Sequence, residues 1–284
     1  MRNIADILRE DVRKLSNILA FDLITSRIEI QCLLQHVLGV PRAYLLAHPE
    51  QTLSETQQQV YGELLQRRLH GVPIAHLLGE REFFGLNLKV TPATLIPRPD
   101  TELIVELALA RIPQAQPYRV LDMGAGSGAI ALAIAKYKPN AEVVAVDASL
   151  DALAVAIKNA RSLGVANVRF MQSDWFSALS GQHFDLIVSN PPYIASDDIH
   201  LTQGDLRFEP LSALASGADG LDDIRHIISA APHHLTSNGW LLLEHGYDQA
   251  RPVRELLGLR GFSEVFSEKD LSGIERVSGG TFHC

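Results

Sequence analysis

Cysteine is scarce in this 284-residue chain, where Cys32 and Cys284 are all there is. A disulfide framework or a cysteine-ligated metal site is therefore not expected, and a reducing compartment is the simplest setting. Runs of Lys and Arg are missing, and the formal net charge is −8. A protein that grips duplex phosphates usually carries a basic stripe, so no direct nucleic-acid partner is expected. No apolar stretch approaches the ~20 residues that span a bilayer. The opening Met1-Arg2-Asn3-Ile4-Ala5-Asp6 has early acidic residues and no apolar core of signal-peptide length. His233 and His234 are adjacent, so they would diverge on a helix, and no acid–histidine spacing suggests a zinc site. The expectation is a monomeric, cytoplasmic protein with no membrane partner and no bound metal. What is present, 46% hydrophobic and 20% charged residues, is ordinary for a soluble globular chain.

Residues 1–75 read as a helical domain. Ile4, Ile7, Leu8, Val12, Leu15, Ile18 and Leu19 recur at three- and four-residue steps. Ile28, Cys32, Leu33, Val37 and Leu38 repeat the pattern, which stops at Gly39 with Pro41 beyond. Ser54 opens a third helix that closes near Gly71 and Pro73. The eight basic and eight acidic residues in this part cancel, so the net negative charge belongs to the remainder. A neutral helical domain recognises protein more readily than polyphosphate, although a structural cap explains it equally well. Residues 76–97 read as a hairpin linker, with Gly85 near the turn and Leu86, Leu88 and Val90 alternating. Pro97 and Pro99 stiffen the chain at its end. Asp100 is expected to cap the helix Leu103 to Ala110, with Glu102 favourably placed near its positive end.

From residue 98 to 284 the chain reads as α/β. Strands at 120–123, 143–147, 168–171, 184–188 and 240–243 alternate with helices at 129–137, 150–163, 222–235 and 252–257, and 262–266 and 276–282 could close the sheet. Such alternation argues a doubly wound, mostly parallel sheet. Gly124, Ala125, Gly126, Ser127 and Gly128 sit at the first strand-to-helix junction, where glycines let the backbone turn sharply and approach a ligand. The loop also satisfies the dinucleotide pattern, so by itself it serves a nicotinamide cofactor or S-adenosylmethionine. Asp147 ends the second strand, where a carboxylate can accept from both ribose hydroxyls of either cofactor. Trp175 has a flat face suited to an adenine pocket, with Asp174 beside it as an acceptor for an exocyclic amine; plain core packing is the alternative for Trp175.

Asn190-Pro191-Pro192-Tyr193 emerges where the fourth strand should stop. No His or Lys stands there to transfer a proton, as a dehydrogenase would need. The Asn190 side-chain oxygen and the Pro191 carbonyl can each accept one N–H of a planar amino group, and both favour the positive charge that develops on nitrogen during alkylation. The prolines fix the carbonyl's direction, and Tyr193 offers a face for a planar group. Adenine and glutamine both present such a nitrogen.

This tetrapeptide matches the (Asp/Asn/Ser)-Pro-Pro-(Tyr/Phe/Trp) motif of amino methyltransferases. Nearly the whole chain resembles the release factor glutamine methyltransferase family, through Ile96-Pro97-Arg98-Pro99-Asp100-Thr101-Glu102, Asp122 to Gly128, Ser173-Asp174-Trp175-Phe176, Asn190 to Tyr193 and Glu209-Pro210. The resemblance implies a Rossmann-like seven-stranded class I methyltransferase domain with a small helical N-terminal domain joined by a β-hairpin. It implies S-adenosyl-L-methionine as cofactor, S-adenosyl-L-homocysteine as product, and the glutamine of the Gly-Gly-Gln loop of class 1 peptide chain release factors as substrate. Carried over, cofactor contacts fall on Gly124 to Gly128, Asp147, Trp175 and Asn190. Substrate contacts fall on Asn190, Pro191, Pro192 and Tyr193, with Asn190, Pro191 and Tyr193 at the chemistry. The family's N-terminal helices help grip the release factor. A ribosomal-protein glutamine remains the nearest rival substrate.

Overall fold

A computed structural model describes residues 2–114 and 116–283; Cys284, the second of the two cysteines, lies outside the described residues. The chain divides into two compact units, Met1–Gly79 and Glu80–Cys284.

The first unit is helical: α1 (Ile4–Leu19), α2 (Leu23–Leu38), α3 (Arg42–Ala47), α4 (Glu55–Leu69) and α5 (Ile74–Leu78). Its helix starts are capped by side chains. Asn3 accepts from the Asp6 N–H, Asp22 accepts from Ile24 and Thr25, and Ser54 exchanges bonds with Gln57 in a capping box. Because Asp22 is the cap, α2 starts five residues before the Ile28 suggested by the apolar repeat. Ile4, Ile7, Leu15, Ile30, Leu33, Leu34, Tyr61 and Leu65 form the core, whereas Ile18 and Ile28 remain exposed. One buried ion pair crosses this core. Arg68, 1% exposed, presents its fork to Glu29 through Nε at 2.6 Å and Nη2 at 3.0 Å. Its Nη1 also donates to the Gly71 and Val72 carbonyls, ending α4.

The second unit opens with an antiparallel hairpin, β1 (Glu80–Phe83) and β2 (Leu86–Lys89). It continues through α6 (Glu102–Arg111), β3 (Tyr118–Met123), α7 (Ala129–Tyr137), β4 (Ala141–Asp147), α8 (Leu150–Leu163), β5 (Val168–Gln172) and β6 (Phe184–Ser189). Then come α9 (Asp222–Ala230), β7 (Leu235–Glu244), α10 (Ala250–Arg260), β8 (Ser263–Lys269) and β9 (Glu275–Phe282). The hairpin packs within this unit: the Lys89 N–H donates to Asn159 Oδ1 on α8 at 2.7 Å, and Asn159 Nδ2 donates back to the Lys89 carbonyl at 2.9 Å.

The seven strands run in the order β5-β4-β3-β6-β7-β9-β8, parallel from β5 to β7, with β9 antiparallel to both neighbours. Strand side chains alternate between two cores. Val120, Val143, Val188 and Leu242 face α6 and α7, while Leu121, Val144, Ile187 and Leu241 face α9 and α10. This double cover explains why the strands read as continuous apolar runs. The chain winds outward from β3 to β5 and then returns to place β6 on the other side of β3. The crevice at the carboxyl ends of β3 and β6 is therefore the switch point where α/β sheets take ligands.

Two local expectations need correction. The helix from Asp222 stops at Ala230 instead of running to Leu235, because Ala231–His233 tighten into a 3₁₀ turn around Pro232 and Leu235 already pairs with Phe184 on β6. Asp100 does not cap α6 either. Pro99–Thr101 form a 3₁₀ turn leading into the helix, no side chain caps it, and the Asp100 carboxylate faces Arg276 at 3.5 Å. Glu102 stands in the first turn of α6, near its positive end as expected, and also accepts the Phe84 N–H of the hairpin at 2.9 Å.

Candidate active site

β3 and β6 end in register, with Met123 opposite Ser189, and the Ser189 hydroxyl donates to the Met123 carbonyl at 2.7 Å. The glycine loop and Asn190 therefore leave the sheet side by side. Gly124, Gly126 and Gly128 all have positive φ, which a side chain would strain. At Gly128 the need is also spatial, since a Cβ would lie 3.0 Å from Leu132 and 3.2 Å from Ala156. Asp147, at the end of β4, accepts the Gly126 N–H through Oδ2 at 2.9 Å and the Ser149 N–H through Oδ1 at 2.8 Å. Each oxygen keeps a lone pair for a further donor such as a ribose hydroxyl. Ala125 and Ser127 are buried, and the Ser127 carbonyl accepts from Asn159 at 2.9 Å, so these two shape the loop from beneath.

Trp175 takes a left-handed backbone, φ 46°, and its ring borders the glycine loop, 3.9 Å from where a Gly124 Cβ would stand. Its indole N–H donates to Asp223 at 3.1 Å, which fixes the ring's plane. The ring is half-buried and packs against the Leu121 side of the core, so it has both a core face and a loop face. Asp174 is exposed, and its own N–H donates to Ser177.

Asp122 is buried beneath the loop. Its Oδ2 accepts the Ala131 N–H of α7 at 3.0 Å, while Oδ1 has no hydrogen-bond partner. Burial pushes its carboxyl up to about 7, against the pull of the Ala131 N–H and with a smaller push from Asp147. The folded-state value is thus above the unfolded one. The stability this group contributes is full below about pH 4 and is lost as pH rises through about 7. Asp122→Asn mimics the protonated form. Thermal melting of the ligand-free protein is expected to show the variant gaining on wild type between pH 5 and pH 8, and a constant difference in Tm would refute this.

Asn190 donates through Nδ2 to Thr101 Oγ1 at 3.2 Å, which leaves its Oδ1 uncommitted. Pro191 is buried and Pro192 half-buried. Tyr193 is held at both ends: its hydroxyl donates to Glu244 Oε1 at 3.4 Å, and its carbonyl accepts Gln249 Nε2 at 2.9 Å. Gly220 passes so near that a Cβ there would stand 2.2 Å from the Tyr193 carbonyl oxygen. Burial and the Glu244 charge push the Tyr193 phenol well above its ordinary value, so it stays a neutral ring and donor. Burial likewise raises Glu244 to about 7, and its Oε2 has no hydrogen-bond partner.

A cavity of about 60 Å³ lies at this corner, lined by Leu95, Arg98, Asn190, Pro191, Tyr193, Ile194, Leu206, Ala213 and Leu214. That is room for a group of a few heavy atoms. Its far wall comes from the 3₁₀ turns Leu206–Phe208 and Leu211–Ala213. Glu209 ties that wall to the segment before α6 by accepting from Arg98 and, at 2.9 Å, from the Ile96 N–H. Burial raises the Glu209 carboxyl although Arg98 opposes it. The structure thus brings Asn190, Pro191 and Tyr193 around one cavity and Gly124, Asp147 and Trp175 around the adjoining loop. Thr101, Glu244, Gln249 and Asp223 escaped the sequence reading of the site. Each meets its partner only through the sheet order, and no local spacing marks it.

A model of the methyltransferase small domain matches residues 101–205, and a model of the PrmC N-terminal domain matches residues 13–79. The chain is 54% identical over 256 residues to the release factor glutamine methyltransferase of Salmonella typhimurium, covering 90% of this chain and 92% of that one. It is 49% identical over 260 residues to the enzyme of the same name from Pseudomonas aeruginosa, covering 92% and 94%. A crystal structure of a methyltransferase from Pyrococcus furiosus superposes with a TM-score of 0.55 at 20% identity, covering 78% of this chain and 100% of that one, which speaks for the fold alone.

Proposed function

We infer, from the premise that this chain belongs to the release factor glutamine methyltransferase family, that it transfers a methyl group to the N5 side-chain amide of a glutamine in class 1 peptide chain release factors. The observation that carries the reading is the in-register exit of the glycine loop and Asn190, with the Asn190 Oδ1 left uncommitted beside a small cavity. S-adenosylmethionine, when bound, supplies a methyl on a sulfonium sulfur. The loop fits that group. The Asp147 oxygens have capacity for ribose hydroxyls, the glycines leave the backbone open to close approach, and Trp175 offers a ring face beside Gly124.

The chain's own contribution is placement. An amide nitrogen shares its lone pair with its carbonyl and attacks poorly unless it is held in line. Asn190 Oδ1 and the Pro191 carbonyl accept its two N–H groups, leaving the lone pair aimed at the donor side. As nitrogen bonds carbon it gains positive charge, which strengthens both hydrogen bonds in the transition state. Tyr193 flanks the planar group. The alkylated nitrogen is acidic and gives one N–H proton to water, so no strong base is needed.

Transfer of labelled methyl to purified release factor tests the reading. Label is expected on the native factor and not on one whose Gly-Gly-Gln glutamine is replaced. A ribosomal protein and DNA serve as competing acceptors, and preferential labelling of either would overturn the assignment. No helix among the described residues is long and apolar enough to cross a membrane. A cytoplasmic monomer acting on free release factor fits this substrate. The helical unit has its own core, separate from the two cores of the sheet unit, so each can fold by itself. In this reading the helices grip the release factor. Deleting residues 1–79 is expected to raise KM for the factor at least about tenfold with donor affinity nearly unchanged, measured by steady-state transfer and by equilibrium titration. Equal losses in both would make the unit a structural cap.

A further inference from the structure

We propose that Gln249 is a positioning residue for methyl transfer: its side-chain amide pins the chain as it leaves Asn190-Pro191-Pro192-Tyr193, and so holds the Pro191 carbonyl and the Tyr193 ring at the pocket. The proposal rests on the glutamine-methylation reading of this pocket. The tetrapeptide has little backbone of its own to be held by. Pro191 and Pro192 carry no N–H, so neither can be tied as a strand residue would be. Upstream, the β6 ladder holds the chain as far as Ser189, which pairs with Met123 and Leu243. Downstream, the peptide unit joining Tyr193 to Ile194 is fixed at both ends. Its carbonyl accepts Gln249 Nε2 at 2.9 Å, and its N–H donates to the Leu214 carbonyl at 2.9 Å. With φ locked at both prolines, the freedom left between these anchors is rotation about ψ, and ψ at Pro191 is what turns its carbonyl. Fixing the chain at Ser189 and again at Tyr193 takes that freedom away.

The Gln249 amide can face only one way. Nε2 also donates to the Asp219 carbonyl at 3.2 Å, and Oε1 accepts the Gly246 N–H at 2.8 Å. Turned over, the amide would set its oxygen against two carbonyl oxygens and its NH2 against an N–H. The residue is only 8% exposed, so water does little to replace these partners. Two glycines keep its place open. A Cβ on Gly220 would stand 2.7 Å from Nε2, and one on Gly246 would stand 3.0 Å from Oε1. One amide at the start of α10 thus ties together the chain after β7, the turn before α9 and the exit from the pocket.

The full-length protein tests this with release factor and donor both saturating. Gln249→Glu keeps the side chain's length and the oxygen that meets Gly246, but sets a carboxylate oxygen against the Tyr193 and Asp219 carbonyls. At about pH 9 it is expected to lower kcat at least about tenfold, the scale of one lost buried hydrogen bond felt in the transition state. Donor affinity should stay within about twofold, since no hydrogen bond among the described residues joins the Gln249 side chain to the glycine loop or Asp147. Burial and the facing carbonyls favour the protonated form of the introduced carboxyl, which regains one donor. The ratio of variant to wild-type kcat should therefore climb at least about threefold from about pH 9 to about pH 6, and taking the ratio cancels titrations common to both enzymes. A variant within about twofold of wild type at the higher pH, or a ratio that stays flat, would overturn the proposal. Where Gln249→Glu does not fold, Gln249→Met decides: it must lower kcat at least about fivefold with donor affinity held within about twofold. A wild-type kcat for Gln249→Met, or donor affinity falling in step with kcat, would overturn the proposal. A wild-type protein that transfers no methyl to release factor would instead sink the functional reading itself.

Discussion

Asn190→Ala is expected to cut kcat about 100- to 1,000-fold, the range seen when one preorganised transition-state hydrogen-bonding group is removed. Donor affinity should change by no more than about threefold, because no hydrogen bond among the described residues ties the Asn190 side chain to the glycine loop or Asp147, the proposed donor cradle. The split follows from geometry. Among the described residues the Asn190 side chain makes one hydrogen bond, from Nδ2 to the Thr101 hydroxyl, so its truncation frees that hydroxyl alone. Folding should therefore survive, and the loss should fall on the step in which nitrogen becomes positive. Single-turnover transfer of labelled methyl under saturating donor measures that step. Turnover within threefold of wild type would remove the amide-holding account.

The other large effect is expected at Asp147. Asp147→Ala should weaken S-adenosylmethionine binding roughly 10- to 100-fold, the value of one or two hydrogen bonds to a charged acceptor. Two losses combine. The carboxylate no longer receives ribose hydroxyls, and the Gly126 N–H that it now fixes is released, so the loop's shape must be set again when ligand binds. At saturating donor, kcat should recover to within about fivefold, since the side-chain hydrogen bonds of Asp147 among the described residues go to Gly126 and Ser149 and not to the tetrapeptide. Equilibrium titration with donor reads the first number and steady-state rates read the second. An unchanged Kd would show that the ribose lies elsewhere.

The sheet and both motifs were legible because their signals are local. β-branched runs such as Val143-Val144-Ala145-Val146 mark doubly covered strands, and the glycine loop and Asn190-Pro191-Pro192-Tyr193 are contiguous. Asp100 shows where local reasoning stops. As a short acid just before a helix it has the chemistry of a cap, yet Arg276 on β9 lies near it and a 3₁₀ turn carries the chain past the capping position. Glu102 does sit in the first turn of α6, as local rules place it, but its bond to the Phe84 N–H of the hairpin is not legible in the sequence. Thr101, between them, has no pattern of its own. Its value appears only when the end of β6 brings Asn190 Nδ2 to its hydroxyl at 3.2 Å. Gln249 and Gly220 are invisible for the same reason, since what they touch is the carbonyl of Tyr193, a group that every residue has.

The clasp on Tyr193 also sets the moment at which this protein can begin to work. The glycine loop, Asp147 and the tetrapeptide are all synthesised by residue 193, but the phenol and carbonyl of Tyr193 find their partners on β7 and at the start of α10. A nascent chain that has released only the first two-thirds of its length has the glycine loop and the tetrapeptide, but not the Leu206, Ala213 and Leu214 wall of the cavity. Completion waits for Glu244 and Gln249 to emerge and for β7 to slot in beside β6. Chains cut short just before Glu244 carry every recognisable motif and still lack the partners that hold Tyr193.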